Sequence, residues 1–183
     1  MYIDIFKAIY GRRSIRSFKS DEVDDEKIIK ILDAGRWAPS GSNIQPWRFI
    51  VVKDKKLIKL VKMFSPGMFS EPPALIVICS DKKEAFEKGG IIGRDYLSIV
   101  DCAMAAQNMM LAAYALGLGT CVIKSFNSKA IKEILELPNN IEPELIIALG
   151  YPAEKPITPP RKPLSNVTFL NKYGIGWERV AEK

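Results

Sequence analysis

The sequence predicts an α/β fold with alternating helices and strands, and three observations carry that prediction. Ala74–Ser80 (ALIVICS) is a continuous apolar run of strand length, the pattern of a strand buried on both faces. Asp95–Leu118 places Tyr96, Ile99, Val100, Ala103, Met104, Gln107, Met110, Leu111 and Tyr114 at helical spacing, with alanines over much of the remaining surface. A helix apolar nearly all round is a buried one. Around these two stretches, amphipathic helical patterns alternate with short strand patterns. By itself this alternation implies a doubly wound parallel sheet.

The elements follow in order. Ile3–Tyr10 reads as a short amphipathic helix with Ile5, Phe6 and Ile9 toward one face, and Gly11 can end it. Asp24–Arg36 is a helix, with Asp24 as N-cap, Val23 and Ile28 spaced as a hydrophobic staple, and Ile28, Ile31, Leu32 and Gly35 on one face. A strand over Arg48–Lys53 and a helix over Asp54–Met63 come next, the helix carrying Lys55, Lys56, Lys59 and Lys62 outside. Pro66–Pro73 is a loop. Asp81–Gly93 is charged and then glycine-rich, and its GGIIG lacks the Gly-Lys-Ser/Thr of a phosphate loop. Gly117-Leu118-Gly119 ends the long helix and leads into a strand at Thr120–Ile123. That order is opposite to a Rossmann turn, and Val122 stands where a third glycine would be needed. Asn127 or Ser128 caps a helix running to Leu135. Pro138 and Asn139 form a turn, and Glu144–Leu149 is a further strand. From Tyr151 the chain is proline-rich and extended, yet it carries Leu164, Val167, Phe169, Leu170, Tyr173 and Trp177. Such a tail needs a surface to lie on, and a partner subunit supplies one. With no repeat, no linker and a length of 183 residues, the expectation is one domain over 1–183.

Composition narrows the chemistry. The chain is 48% hydrophobic and 26% charged, an ordinary globular balance. It shows no membrane-spanning run, and its first residues are too short and too charged for a signal peptide, so a cytoplasmic protein is expected. Cys79, Cys102 and Cys121 match no zinc spacing and read as buried thiols. There is no histidine, which excludes Ser-His-Asp and Cys-His nucleophiles and histidine-held metals. An enzyme built this way uses carboxylates, Lys or Tyr, or leaves the chemistry to a cofactor. The formal charge of +6 is modest. Without basic residues interleaved with aromatics, it gives no nucleic-acid stripe.

Two stretches are candidates for binding chemistry, the plain alternatives being a solvated basic turn at Arg12–Phe18 and a tight helix-to-strand turn with one buried indole at Arg36–Phe49. Arg12–Phe18 (RRSIRSF) packs three arginines and two serines together, and guanidinium forks suit phosphate. Arg36–Phe49 (RWAPSGSNIQPWRF) places turn-forming Pro39, Ser40, Gly41, Ser42 and Asn43 between a helix and a buried strand. The side-chain amides of Asn43 and Gln45 can read a heterocycle edge, since each donates and accepts in one plane.

RRSIRSF, WAPSGSNIQPWRFIVV, DCAMAAQNMMLAAYALGLGT and LGYPAEKPITPPRKPLS, in that order and spacing, resemble the nitroreductase family of FMN-dependent oxidoreductases. The resemblance implies a three-layer α/β (α+β) fold with a mainly antiparallel central sheet, a long buried central helix and an extended C-terminal tail crossing to the partner subunit. It implies a homodimer with FMN sites at the interface, NAD(P)H as donor, and a quinone, nitroaromatic or similar small-molecule acceptor. No nucleic acid or membrane takes part. Arg12, Arg13 and Ser14 match the positions that hold the FMN phosphate and ribityl chain. Arg16 matches a basic position at the pyrimidine edge, where a guanidinium would stabilise reduced flavin. Pro39, Ser40 and Gly41 match a loop reaching the flavin of the other subunit, with Asn43 and Gln45 toward its ring or ribityl chain. Val122, Ile123, Lys124 and Ser125 match the segment whose backbone faces the ring, and Arg161 and Lys162 match late basic residues on the phosphate. No side chain is implied as a nucleophile, and no metal. Lys124 stands where some relatives carry glutamate. Pro66–Pro73 has no counterpart to a segment that supplies Asn and Lys to the flavin edge. The alternative on the same fold is a flavin carrier or sensor without turnover.

Overall fold

The computed structural model describes residues 4–181. Four strands form one sheet: β1 (Trp47–Val52), β2 (Ala74–Asp81), β3 (Gly119–Ile123) and β4 (Ile141–Gly150), in the order β1-β2-β4-β3. Every neighbouring pair is antiparallel. The doubly wound parallel sheet implied by periodicity is therefore corrected, and the antiparallel expectation holds. Helices cover both faces of this sheet, so its inner strands are apolar on both sides, the same pattern a parallel strand shows. Periodicity reports burial, not direction.

Alternation along β2 divides the core. Ile76 and Ile78 face α2 (Asp25–Arg36) and α5 (Ser98–Ala115) in one buried cluster, with Ile28, Ile31, Cys102, Ala105 and Met109. Leu75, Val77 and Cys79 face the opposite cluster, with Ile58 and Val61 of α3 (Lys55–Met63) and Ile131 of α6 (Ser128–Ile134). Helix, sheet, helix is the three-layer architecture. Asp54 caps α3 by accepting from Lys56 and Leu57 N–H at 2.8 and 2.9 Å. Asn127 caps α6 through Ala130 N–H at 3.1 Å. Asp24 occupies the cap position of α2 but makes no side-chain cap hydrogen bond. β4 begins at Ile141, earlier than expected, and takes in Pro143 at a register shift opposite Ile78 and Cys79. A bulge is where a strand tolerates the missing N–H.

The charged stretch after β2 is helical. Asp81 accepts from Lys83 and Glu84 N–H and starts α4 (Lys82–Ile92), which passes through a π-helical turn at Gly93–Leu97 into α5. α5 ends in a Schellman turn. Gly117, at φ +78°, donates to Tyr114 O at 3.0 Å, and Leu118 donates to Ala113 O at 2.9 Å.

One expectation for α5 holds only in part. The helix is buried on one face only, through Ser98, Asp101, Cys102, Ala105, Ala106, Met109, Met110 and Ala113. Of the stripe read as its core face, Met110 is buried, while Tyr96, Ile99, Ala103 and Gln107 are exposed. α1 (Ile5–Gly11) buries only Ala8 and leaves Ile5, Phe6 and Ile9 exposed. Gly11 is its last helical residue, and Ile3 lies outside the described residues. Apolar spacing marks a face that excludes water somewhere, and here that face is not covered by the described residues of the same chain. The C-terminal tail behaves alike. After a bridge between Phe18 and Pro152 it runs exposed, with one 3-10 turn at Leu164–Asn166 and a short α7 (Glu178–Ala181). Phe169 packs on Tyr173, their ring centroids 4.6 Å apart.

Candidate functional site

The cluster begins where α1 stops. Beyond Gly11 the chain runs extended beside the edge strand β3. Ile15 N–H donates to Thr120 O at 2.9 Å, Lys19 N–H to Tyr151 O at 2.9 Å, and Ala153 N–H to Ser17 O at 3.0 Å. Ile15 is buried, so alternation turns Ser14 and Arg16 to the other side. The segment and the first residues of the tail are thus bound to each other and to the sheet edge.

A cleft of about 510 Å³ opens there, its walls including Arg12, Arg13, Tyr114, Thr120, Glu154 and Thr158. The Arg12 guanidinium is half-buried, and burial, then the like charges of Arg13 and Arg161, hold it below its ordinary range. It stays cationic, because arginine does not deprotonate in proteins. Arg12 and Arg161, far apart in sequence, are therefore close enough to repel. Among the described residues none of Arg12, Arg13, Arg16 and Arg161 has an ion-pair partner. Mutually repelling guanidinium groups around a concave space lower their energy when an anion enters.

Other residues have defined places. Arg13 donates to Tyr10 O at 2.6 Å, Arg12 O at 2.8 Å and the Thr158 hydroxyl at 3.1 Å, fastening the end of α1 to the tail. Arg16 is exposed, its guanidinium 5.8 Å from the Phe69 ring centroid, and its carbonyl accepts from Ser70 Oγ at 2.6 Å. Gly67 N–H donates to Ser125 O at 3.4 Å. The Pro66–Pro73 loop, which motif comparison left without a role, thus lies against both Arg16 and Ser125. Val122 and Ile123 end the edge strand β3. Lys124 turns its ammonium to Glu144 O at 2.7 Å and the Glu144 carboxylate at 3.6 Å. Arg161 and Lys162 are exposed on the tail.

Glu154 is the residue sequence reasoning missed. Its Oε1 accepts the backbone N–H of Arg16 at 2.5 Å and of Ser17 at 3.0 Å, locking the arginine-bearing segment to the tail. A lone acid among prolines carries no signal of this. Tyr114 and Thr158 were missed too. Tyr114 was read as core, but its hydroxyl reaches the end of α1, where a Cβ at Gly11 would lie 2.1 Å from it.

The second predicted cluster lies elsewhere. Pro39–Gln45 turns on left-handed backbone at Ser42, Asn43 and Gln45, at φ 49°, 54° and 55°. Each costs roughly 1 kcal/mol outside glycine. The loop holds itself: Gln45 N–H donates to Ser40 Oγ at 3.1 Å, and Gln45 Nε2 to Asn43 Oδ1 at 3.0 Å. Ile44 plugs it into the core, while Ser42, Asn43 and Gln45 are exposed. The loop rests on the start of α5, where Gly41 meets Asp101 and Leu97. The arginine cleft sits at the other end of α5, beside Tyr114 and Gly117–Thr120. From Asp101 to Tyr114 the helix rises about 20 Å at 1.5 Å per residue. Within one chain the two groups do not come together.

Known proteins are now informative. The model of the Nitroreductase family matches residues 9–89 and 61–151. A putative NADH dehydrogenase/NAD(P)H nitroreductase of Methanothermobacter thermautotrophicus is 36% identical over 162 residues, covering 85% of this chain and 81% of that protein. An FMN reductase (NADPH) of Bacillus subtilis is 30% identical over 184 residues, covering 92% of this chain and 74% of its own length. The crystal structure of a nitroreductase family protein from Clostridium difficile 630 superposes with a TM-score of 0.83 at 30% identity, covering 93% of this chain and 99% of that one. The chain belongs to the nitroreductase family. Among the described residues, no helix is long and apolar enough to cross a membrane.

Proposed function

We propose that the chain is an FMN-dependent NAD(P)H oxidoreductase acting as a homodimer, one nitroreductase-like domain over residues 1–183. It passes hydride from NAD(P)H through bound flavin to a nitroaromatic, quinone or similar acceptor. The observation that carries this reading is a cleft walled by Arg12 and Arg13 from one end of the chain and by Lys155 and Thr158 from the other, with the charge of Arg161 felt at Arg12. The donor chemistry of the three arginines fits a phosphate monoester: three cations, no carboxylate paired to any of them among the described residues, and backbone pinned by Glu154. Bound flavin supplies the hydride chemistry, in keeping with a chain that contains no histidine.

The residues divide the work. Arg12 and Arg161 hold the phosphate, with Ser14 beside them and Lys162 at the rim. Arg13 lends charge while fixing the shape of the cleft. Arg16, braced by Phe69 and Ser70, places a positive charge where the reduced cofactor gains negative charge. The edge-strand backbone at Val122–Ser125 lines the ring. Pro39, Ser40, Gly41, Asn43 and Gln45 complete the site of the other protomer. The separation of loop and cleft along α5 supports that last assignment, as do the apolar side chains left exposed on α1, α5 and the tail.

Purified protein incubated with FMN and desalted tests the reading. Retained visible flavin absorption that bleaches with NAD(P)H and returns on adding menadione is the expected result. Protein that stays colourless refutes it. Bound flavin that NAD(P)H fails to bleach points to a carrier.

A further inference from the structure

Asp101 is a buried carboxyl whose hydrogen-bonding capacity is half used among the described residues. It lies on the buried face of α5 and is 1% exposed. Its Oδ1 accepts the N–H of Gly41 at 3.2 Å, and its Oδ2 has no hydrogen-bond partner among the described residues. No ion pair among the described residues includes it. A half-satisfied carboxyl inside a core costs stability, so packing alone would favour an apolar side chain here. Burial raises its affinity for a proton, opposed only by the Gly41 N–H. What it touches is the Pro39–Gln45 loop.

That loop needs an anchor. Its Ser40, Asn43 and Gln45 hydrogen bonds are internal, and its backbone is left-handed at three non-glycine residues. Among the described residues, two side-chain hydrogen bonds fasten its backbone to the neighbouring helices: Asp101 on Gly41 N–H, and Lys88 Nζ on Ile44 O at 3.4 Å. The first is the shorter, and its acceptor is a buried side chain. Gly41 is pressed against Leu97, where a Cβ would come within 2.9 Å of a leucine methyl, so backbone and carboxylate meet directly.

We infer that Asp101 is a positioning residue for the flavin site: from the buried face of α5 its carboxylate sets the Pro39–Gln45 loop in the shape it presents to the other protomer. This rests on the function proposed above. Asp101 touches no flavin. It acts through Gly41, and on the partner's site rather than on the site its own arginines form.

The test measures FMN affinity by quenching of flavin fluorescence, with thermal unfolding of each variant alongside. Asp101→Leu fills the space without an acceptor. It is expected to fold with unchanged or higher Tm and to bind FMN about tenfold more weakly, the size of one lost positioning hydrogen bond. Asp101→Asn keeps an oxygen for Gly41 N–H and is expected to stay within about threefold of wild type. If the leucine variant does not fold, Asp101→Ala takes its place. Mixed dimers supply the decisive readout. A chain with Arg12→Ala paired with a chain with Asp101→Leu should hold one tight FMN per dimer, because one site keeps both its arginine and an anchored loop. A folded Asp101→Leu protein with wild-type affinity overturns the inference, and so do mixed dimers with no tight site. Wild-type protein that takes up no FMN overturns the flavin assignment itself, and this inference with it.

Discussion

The two ends of α5 carry two unlike groups of residues, proposed above as the halves of one binding site. At the C-terminal end, Arg12 and Arg13 line a cleft already shaped, with the charge of Arg161 felt at Arg12, backbone pinned by Glu154 and a turn fixed by Gly117. At the N-terminal end, the Pro39–Gln45 loop has strained backbone and exposed amides but no arginine cluster of its own. One half has charge and shape, and the other has directional polar groups. Roughly 20 Å of helix separates them. The homodimer proposed above would bring one group to the other between chains, and the uncovered apolar residues of α1 and α5 are the faces proposed to meet.

The largest effect should come from breaking the charged half. Arg12→Ala is expected to weaken FMN binding by ten- to a hundredfold, the range for a charge-assisted contact, measured by fluorescence titration. Lys59→Ala, on the solvated face of α3, should leave affinity unchanged and serves as the control. Raising ionic strength should weaken FMN binding to wild type more than to Arg12→Ala, because screening acts on the charge the variant lacks.

Next in size is the turn that shapes the cleft floor. Gly117→Ala places a Cβ on a backbone at φ +78°, at a cost of about 1 kcal/mol. A Tm lowered by a few degrees, read by calorimetry, is expected.

The smallest effect sharpens the other half. Burial raises the folded-state pKa of Asp101 above its unfolded value. Below the unfolded pKa, near about pH 4, both states are protonated and the acid costs nothing extra. As pH rises through the folded pKa, the unfolded chain gives up its proton more readily, and that stability is lost. Asp101→Asn does not titrate. Its Tm relative to wild type should therefore climb from about pH 4 upward and level off, and a flat difference would show that the carboxyl is not held as described.

Much of this fold could be read from the chain. The cap at Asn127, the buried run of β2 and the glycine turn after α5 are local signals and fall where expected. Strand direction was not legible, because helices on both faces erase the alternation that marks antiparallel sheets. The face of α5 was misread for a similar reason. Apolar spacing on Tyr96, Ile99 and Ala103 records an uncovered face, while the core face uses Ser98, Asp101, Cys102, three alanines, Met109 and Met110. At the site, arginines and turn residues announce themselves by type. Glu154 and Asp101 do not, because their roles depend on which backbone N–H the fold brings to them.

The central claim is that the arginine cleft recognises a phosphate, and two flavins differing in that group test it. FMN and riboflavin should be titrated against wild type, Arg12→Ala and Arg161→Ala. Wild type is expected to prefer FMN by at least about tenfold, and each variant to lose most of that preference while riboflavin affinity holds. Equal affinity of the wild-type protein for both flavins would contradict that claim.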